Sequence, residues 1–194
     1  MFIKNWKKEI LTIPNLLSIF RLVLIPVYVS IYHNATHVSD YYLSAAILAV
    51  SCLTDLIDGK IARRFHMIST VGKILDPLAD KATQFTLILC LAMRYPVLTH
   101  LVALFILKEG FQLIAGGITL RKGRMLEGAL LPGKICTTVL FVSLIMMVMF
   151  PELDYQYITW ITIIDAVFMI IAFASYIWAY FGKSQKIQDL KEFE

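Results

Sequence analysis

Six mostly apolar stretches succeed one another along this chain, each near the 17–25 residues that a helix needs to cross a bilayer. They run from about Leu16 to Tyr32, Tyr41 to Ala62, Val71 to Met93, Val97 to Leu120, Leu130 to Phe150 and Ile158 to Phe181. Hydrocarbon offers a peptide group no water, so each stretch must satisfy its own backbone as a helix. A soluble helical bundle would need a polar stripe on every helix, and several of these stretches have none. Composition points the same way. The chain is 59% hydrophobic and only 16% charged, with a mean hydropathy of +0.73, whereas a soluble domain is about a quarter charged. The expected fold is all-α: an integral membrane bundle of six transmembrane helices. The connections are short, so consecutive helices should be antiparallel. No linker, long loop or internal repeat interrupts residues 1–194, which predicts a single membrane domain.

The basic residues set an orientation. Lys4, Lys7 and Lys8 precede the first span. Lys60, Arg63, Arg64 and Lys73 lie around the second junction, Arg121, Lys122, Arg124 and Lys134 around the fourth, and Lys183, Lys186 and Lys191 after the last. These are 14 of the 18 Lys and Arg residues. The other side carries Arg94, with Glu152 and Asp154 in its last loop. By the positive-inside rule both termini face the cytoplasm of a cell-membrane protein, and six spans supply the even number this requires. Lys4, Lys7 and Lys8 alternate with Phe2, Ile3, Trp6, Ile10 and Leu11, the pattern of a short amphipathic helix on the membrane surface. The net charge of +4 is modest, so the expected partners are membrane lipids and no nucleic acid. Cys52, Cys90 and Cys136 are odd in number, lie in apolar stretches and show no C-x-x-C spacing, so they read as buried small hydrophobes.

Charged groups inside spans are costly and mark function by default. Asp55 and Asp58 lie near the end of the second span, Asp76 and Asp80 near the start of the third. Spacings of three and four put each pair on one helix face. Four carboxylates at one depth cannot all stay ionised in a low dielectric: some protonate, or a cation binds. Hard oxygen ligands suit Mg²⁺, Mn²⁺ or Ca²⁺, and two such ions would make a phosphoryl-transfer centre. Gly59 removes a side chain beside Asp58, and Ala62 keeps the wall low one turn on. Arg63 offers a fork suited to phosphate, and Gly72 opens the next helix, whose N-terminus favours anions. Taken singly, Gly59 and Gly72 serve a turn or close packing equally well.

The run from Asp55 to Asp80 resembles the D-x2-D-G-x2-A-R-x8-G-x3-D-x3-D signature of the CDP-alcohol phosphatidyltransferases. All eight fixed positions match: Asp55, Asp58, Gly59, Ala62, Arg63, Gly72, Asp76 and Asp80. The six-span layout and chain length match as well. The resemblance implies an enzyme of phospholipid biosynthesis that takes CDP-diacylglycerol or a related CDP-alcohol. A hydroxyl acceptor, a small polar or lipid alcohol, attacks the lipid-bearing phosphorus and CMP leaves. It implies that Asp55, Asp58, Asp76 and Asp80 hold two Mg²⁺ or Mn²⁺ ions, that Asp80 is the general base, and that Gly59, Ala62 and Arg63 line the CMP site. It further implies a homodimer. Pro14, Asn15, Ser18 and Arg21 form a P-N-x-x-S-x-x-R pattern common in bacterial phosphatidylglycerophosphate and cardiolipin synthases. Asn15 and Ser18 either help hold the nucleotide or simply begin a helix, with Arg21 snorkelling.

The acceptor is less sharply written. Glycerol 3-phosphate would need cations, for which Lys81, Lys108, Arg121, Arg124 and Lys134 are candidates. Gly133, Lys134 and Thr137 make a G-K-x-x-T element similar to one in both phosphatidylglycerophosphate and cardiolipin synthases. Lys108-Glu109 stands where the former typically have Arg-Glu, and Lys keeps the charge but not the bidentate fork. It would alternatively form an intramembrane ion pair. Phosphatidylglycerophosphate synthesis leads, with cardiolipin synthesis second and a divalent-cation transporter as the reading from another class. Arg63 beside the carboxylates opposes a purely cationic site. Asp165, in the sixth span near Thr159 and Thr162, matches no family element and is expected to serve packing or an interface. His33, His37, His66 and His100 lie near loops, away from the carboxylates. Arg63→Ala should weaken CDP-diacylglycerol binding while leaving divalent-metal binding largely intact. Unchanged lipid affinity in a binding assay would remove the phosphate contact.

Overall fold

Every expected span is a helix. A computed structural model of the chain describes residues 12–64, 72–121, 124–126, 130–181 and 187–189. The N-terminal segment expected to be amphipathic lies outside the described residues. The helices are α1 (Ile13–His33), α2 (Val38–Arg64), α3 (Gly72–Arg94), α4 (Thr99–Arg121), α5 (Leu131–Met149) and α6 (Tyr155–Phe181), with a 3₁₀ turn at Pro96–Leu98 leading into α4. Among the described residues, four segments are long and apolar enough by composition to cross a membrane: Pro14–His33, Pro96–Arg121, Leu131–Met149 and Tyr155–Phe181. In α2 only Val38–Thr54 is continuously apolar. The charged motif occupies the remainder of α2 and the first turns of α3. At about 1.5 Å per residue, α2 is about 40 Å long, so its charged end can extend past a hydrocarbon core of about 30 Å.

Local chemistry explains the ends. Pro14 sits in the first turn of α1, where a missing N–H costs nothing. Asn34 closes α1 by donating its side-chain amide to the Ser30 carbonyl at 2.7 Å. Asp40, in the first turn of α2, accepts the backbone N–H groups of His37 at 2.9 Å and Thr36 at 3.0 Å, the acidic half of a capping box. Those two donors hold the Asp40 carboxyl below its ordinary range. Hydroxyls within the apolar helices donate to the carbonyl four residues back, as Thr83 does to Ala79, Thr119 to Ala115, Thr137 to Gly133 and Thr162 to Ile158. Each is thereby satisfied without water.

The chain forms two compact units. The first comprises residues up to Leu91 together with Met147–Pro151. In it α1 packs along α2. Tyr28 stacks on Tyr32 with centroids 5.6 Å apart, and Tyr32 meets Tyr41 edge to face at 5.5 Å. Leu48, Ala79, Leu87, Ile88 and Leu91 are buried.

The second unit comprises Ala92–Met146 and Glu152–Glu194. Here α4 packs on α6, and Phe111 of α4 meets Phe173 and Tyr180 of α6 edge to face at 5.3 and 6.0 Å. Outward side chains are large and apolar: Leu113 is 78% exposed, Trp178 74% and Phe181 79%. Such faces suit lipid rather than water. Asp165 is buried on α6, where it accepts a hydrogen bond from Ser143 of α5 at 2.9 Å. The neighbouring Thr159 and Thr162 bond instead to the carbonyls of Tyr155 and Ile158. The hydrogen bond of Asp165 therefore runs to α5, not within its own helix.

Two short strands join the helices. β1 (Arg124–Leu126), between α4 and α5, pairs antiparallel with β2 (Ile187–Asp189), after α6, in the register Arg124 to Asp189, Met125 to Gln188 and Leu126 to Ile187. Nothing in the hydropathy pattern announced them, because three-residue strands carry no readable periodicity. They bring the α4–α5 connection and the chain after α6 to one end of this unit, as antiparallel helices require.

At Gly133, the first turn of α5 lies against the ring of Tyr176 on α6. A Cβ there would fall within 3.0 Å of three side-chain atoms of Tyr176, two ring carbons and, nearest, the phenolic oxygen. Gly133→Ala should therefore cost about 1–3 kcal/mol by overpacking. Adding Tyr176→Phe, which removes the nearest atom, should return part of the loss. Thermal unfolding in detergent micelles reads both effects.

Candidate active site

The carboxylate motif is split between two consecutive helices of the first unit. Asp55, Asp58, Gly59, Ala62 and Arg63 lie on the final turns of α2, which stays helical to Arg64. Helical spacing puts Asp55, Asp58 and Ala62 along one side. Their side chains, like those of Gly59's neighbours through Arg64, fall outside the described residues. Gly72 is buried and begins α3. Asp76 and Asp80 follow on one face of α3, both half-buried, with the fully buried Ala79 between them. Pro77 directly after Asp76 lacks an N–H, so it cannot complete the α-helical bond in this turn.

The partner of Asp76 comes from α1. Asn15, Ser18 and Arg21, spaced by three, are 1%, 0% and 2% exposed. They form a buried polar stripe on an otherwise apolar helix. The Ser18 hydroxyl donates to the carboxylate oxygen Oδ1 of Asp76. A second acceptor, the Pro14 carbonyl, lies 3.1 Å from the same hydroxyl. The sequence pattern leaves Ser18 between a nucleotide contact and a helix start; in the structure its hydroxyl meets a candidate metal ligand. The P-N-x-x-S-x-x-R pattern marked the residue, but sequence spacing within α1 could not reveal a partner 58 residues away. Past Asp80, Thr83 and Gln84 are also buried and prolong the polar face of α3. The sequence reading did not single them out.

Among the described residues no three His, Cys, Asp or Glu side chains gather as a metal site, and Asp76 and Asp80 are the motif carboxylates so described. Their chemistry nevertheless fits a hard divalent cation. They are carboxylate oxygen donors on one helix face, and Asp76 is held by the Ser18 hydroxyl.

The acceptor candidates have different surroundings. Lys81, in the first unit, is half-buried. The other four belong to the second unit. Lys108 is 3% exposed in the middle of α4, and its Nζ lies 2.5 Å from Oε1 of Glu109. The intramembrane ion pair that was the alternative reading of these two residues is thus present. Arg121 and Lys134 are exposed at the end of α4 and the start of α5. Arg124 lies on β1 opposite Asp189 in register, its side chain outside the described residues. His33, His37 and His100 are exposed, and His66 lies outside the described residues. Cys52 is half-buried, and Cys90 and Cys136 are buried.

Against known proteins, the CDP-alcohol phosphatidyltransferase family model matches residues 11–178. The chain belongs to the CDP-alcohol phosphatidyltransferase family. Membership makes it a membrane enzyme of phospholipid metabolism, and sets the cation-transporter reading aside. This family is generally metal-dependent and works on CDP-alcohols and acceptors in membranes. Three relatives show the range. A CDP-diacylglycerol–glycerol-3-phosphate 3-phosphatidyltransferase from Aquifex aeolicus is 31% identical over 170 residues, 86% of this chain and 93% of the relative. A cardiolipin synthase (CMP-forming)/mitochondrial hydrolase fusion protein from Schizosaccharomyces pombe is 40% identical over 101 residues, 52% of this chain but 16% of the relative. A cardiolipin synthase (CMP-forming) from Streptomyces coelicolor is 33% identical over 118 residues, 59% of this chain and 54% of the relative. The match thus spans nearly all of the Aquifex transferase, about half of the Streptomyces synthase and a small part of the fusion protein.

Burial makes the Lys108–Glu109 pair sensitive to losing one partner. Lys108→Met should destabilise the phosphatidyltransferase by up to about 3–5 kcal/mol, since one half of a buried ion pair is removed. Lys108→Met with Glu109→Leu should recover most of that. A double variant no more stable in thermal unfolding than the single one would mean that something other than Glu109 holds Lys108.

Proposed function

We propose that this enzyme transfers the phosphatidyl group of CDP-diacylglycerol to glycerol 3-phosphate, giving phosphatidylglycerophosphate and CMP. The observation that carries the reading is the alignment with the Aquifex transferase, which runs through 86% of this chain and 93% of the relative. A match of that extent, beyond the motif alone, supports a shared acceptor. Phosphatidylglycerol as acceptor, making this a cardiolipin synthase, is the second reading. It is favoured by 40% identity to the Schizosaccharomyces pombe fusion protein over a shorter stretch.

In this reading Asp55, Asp58, Asp76 and Asp80 hold two divalent ions, Mg²⁺ or Mn²⁺. When bound, these ions neutralise pyrophosphate charge and stabilise the departing CMP. Arg63 pairs with a phosphate through its planar fork, and Gly59, Ala62 and Gly72 leave room for the nucleotide. Asn15, buried at the start of α1, closes that side. Asp80 takes the proton of the acceptor hydroxyl as its oxygen bonds to phosphorus and the bond from phosphorus to the CMP oxygen breaks. Lys81, Lys108, Arg121, Arg124 and Lys134 are the cations offered to the acceptor phosphate. Lys108 enters with Glu109 already beside it, so its share is a hydrogen-bonding position more than a free charge. The family match across residues 11–178 supports one functional domain. The distribution of Lys and Arg supports cytoplasmic termini and a cytoplasm-facing site. The active form is a homodimer.

The test is CMP release by the purified protein with CDP-diacylglycerol and Mg²⁺. Glycerol 3-phosphate should support release, EDTA should abolish it, and Asp80→Asn should lower kcat by about 10²–10⁴-fold with a smaller effect on CDP-diacylglycerol affinity. Release with phosphatidylglycerol but not glycerol 3-phosphate would establish the second reading instead. A full-rate Asp80→Asn enzyme would remove the general base.

A further inference from the structure

We infer that Ser18 is a positioning residue for Asp76: its hydroxyl fixes the carboxylate that α3 offers to the divalent metal, and does not serve as a contact to the nucleotide. The inference rests on the metal site proposed above.

The geometry is specific. Ser18 is completely buried, and its hydroxyl lies between two acceptors, Oδ1 of Asp76 and the Pro14 carbonyl. A serine has one proton to give. The Pro14 carbonyl is an intrahelical acceptor for the Ser18 N–H by the α-helical pattern, so it loses little without the hydroxyl. An ionised carboxylate has no proton of its own, and a bond to it is about twice as strong as one between neutral groups. The proton therefore goes to Asp76.

Two features make this bond an orienting one. Pro14 and the first turns of α1 fix the backbone that carries Ser18, and serine has one side-chain torsion before its oxygen. Pro77 follows Asp76 directly, so the backbone of this turn has one fewer hydrogen bond to steady the carboxylate. A donor from another helix supplies that restraint, as the outer partners of metal ligands commonly do. With Oδ1 engaged by Ser18, the other oxygen of Asp76 keeps its lone pairs for the cation. Thr in place of Ser preserves the hydroxyl, whereas Ala removes it.

The experiment is Mn²⁺ binding to the full-length protein in nanodiscs, read by the electron paramagnetic resonance of free Mn²⁺ with no CDP-lipid present. Ser18→Ala should weaken Mn²⁺ binding by about 10–100-fold, and Ser18→Thr should restore it to within a few-fold of wild type. The thermal midpoint of each variant is measured alongside. Weakened binding in a Ser18→Ala protein that unfolds like wild type supports the positioning role. Should Ser18→Ala fail to fold, Ser18→Thr decides: wild-type Mn²⁺ affinity supports the role, and a loss like that of a missing hydroxyl overturns it. Unchanged Mn²⁺ affinity with weakened CDP-diacylglycerol binding in Ser18→Ala would overturn it and return Ser18 to the nucleotide. If the wild-type protein itself binds no Mn²⁺, the metal site fails, and the positioning role with it.

Discussion

A charge inside hydrocarbon must be answered locally, and this chain is organised around that constraint. Water cannot screen a carboxylate there, so each ionisable group in a span needs a donor, a counter-charge or an ion. Asp76 has the hydroxyl of Ser18. Asp165 has that of Ser143. Lys108 has Glu109. The Thr hydroxyls turn back to their own helices. The same constraint explains why α2 and α3 are less apolar than the other four helices. They carry the motif's carboxylates, and such residues lie toward helix ends where the charge costs less.

These answers differ in kind, and the difference separates structure from chemistry. The Asp165–Ser143 bond joins two helices at a buried point through Oδ1, while Oδ2 of Asp165 is buried without a hydrogen-bond partner. The Lys108–Glu109 pair joins neighbours on a single helix. Its two charges answer one another within the same stretch of apolar helix. The Ser18–Asp76 bond ties the N-terminal turns of α1 to the N-terminal turns of α3. It places the first helix in the construction of the site, which the motif between Asp55 and Asp80 does not by itself require.

The close approach at Gly133 carries a similar lesson about the second unit. The G-K-x-x-T element has a cation in Lys134, yet its glycine answers to Tyr176. Lys134 is exposed one residue further on. Glycine here lets two helices meet near the residue that carries charge, so packing sets where the charge stands. The β1–β2 ladder acts on the same unit by pairing the strand that carries Arg124 with the chain beyond α6.

Much of this was legible in the sequence because a bilayer is a simple solvent. Length and hydropathy fix the number of helices, since backbone in hydrocarbon has few alternatives. Charged residues within spans stand out for the same reason, and the fixed positions from Asp55 to Asp80 name the family. Helix boundaries follow from Pro14, Asn34 and Asp40, whose effects are local. What the sequence could not state were pairings between residues far apart along the chain or dependent on rotamer: Ser18 with Asp76, Ser143 with Asp165, Gly133 against Tyr176, and β1 with β2. Hydropathy says that a residue faces inward but not what it meets there. Only the packing of one helix on another decides that, because contact depends on rotation, register and side-chain direction that no spacing within a single helix contains.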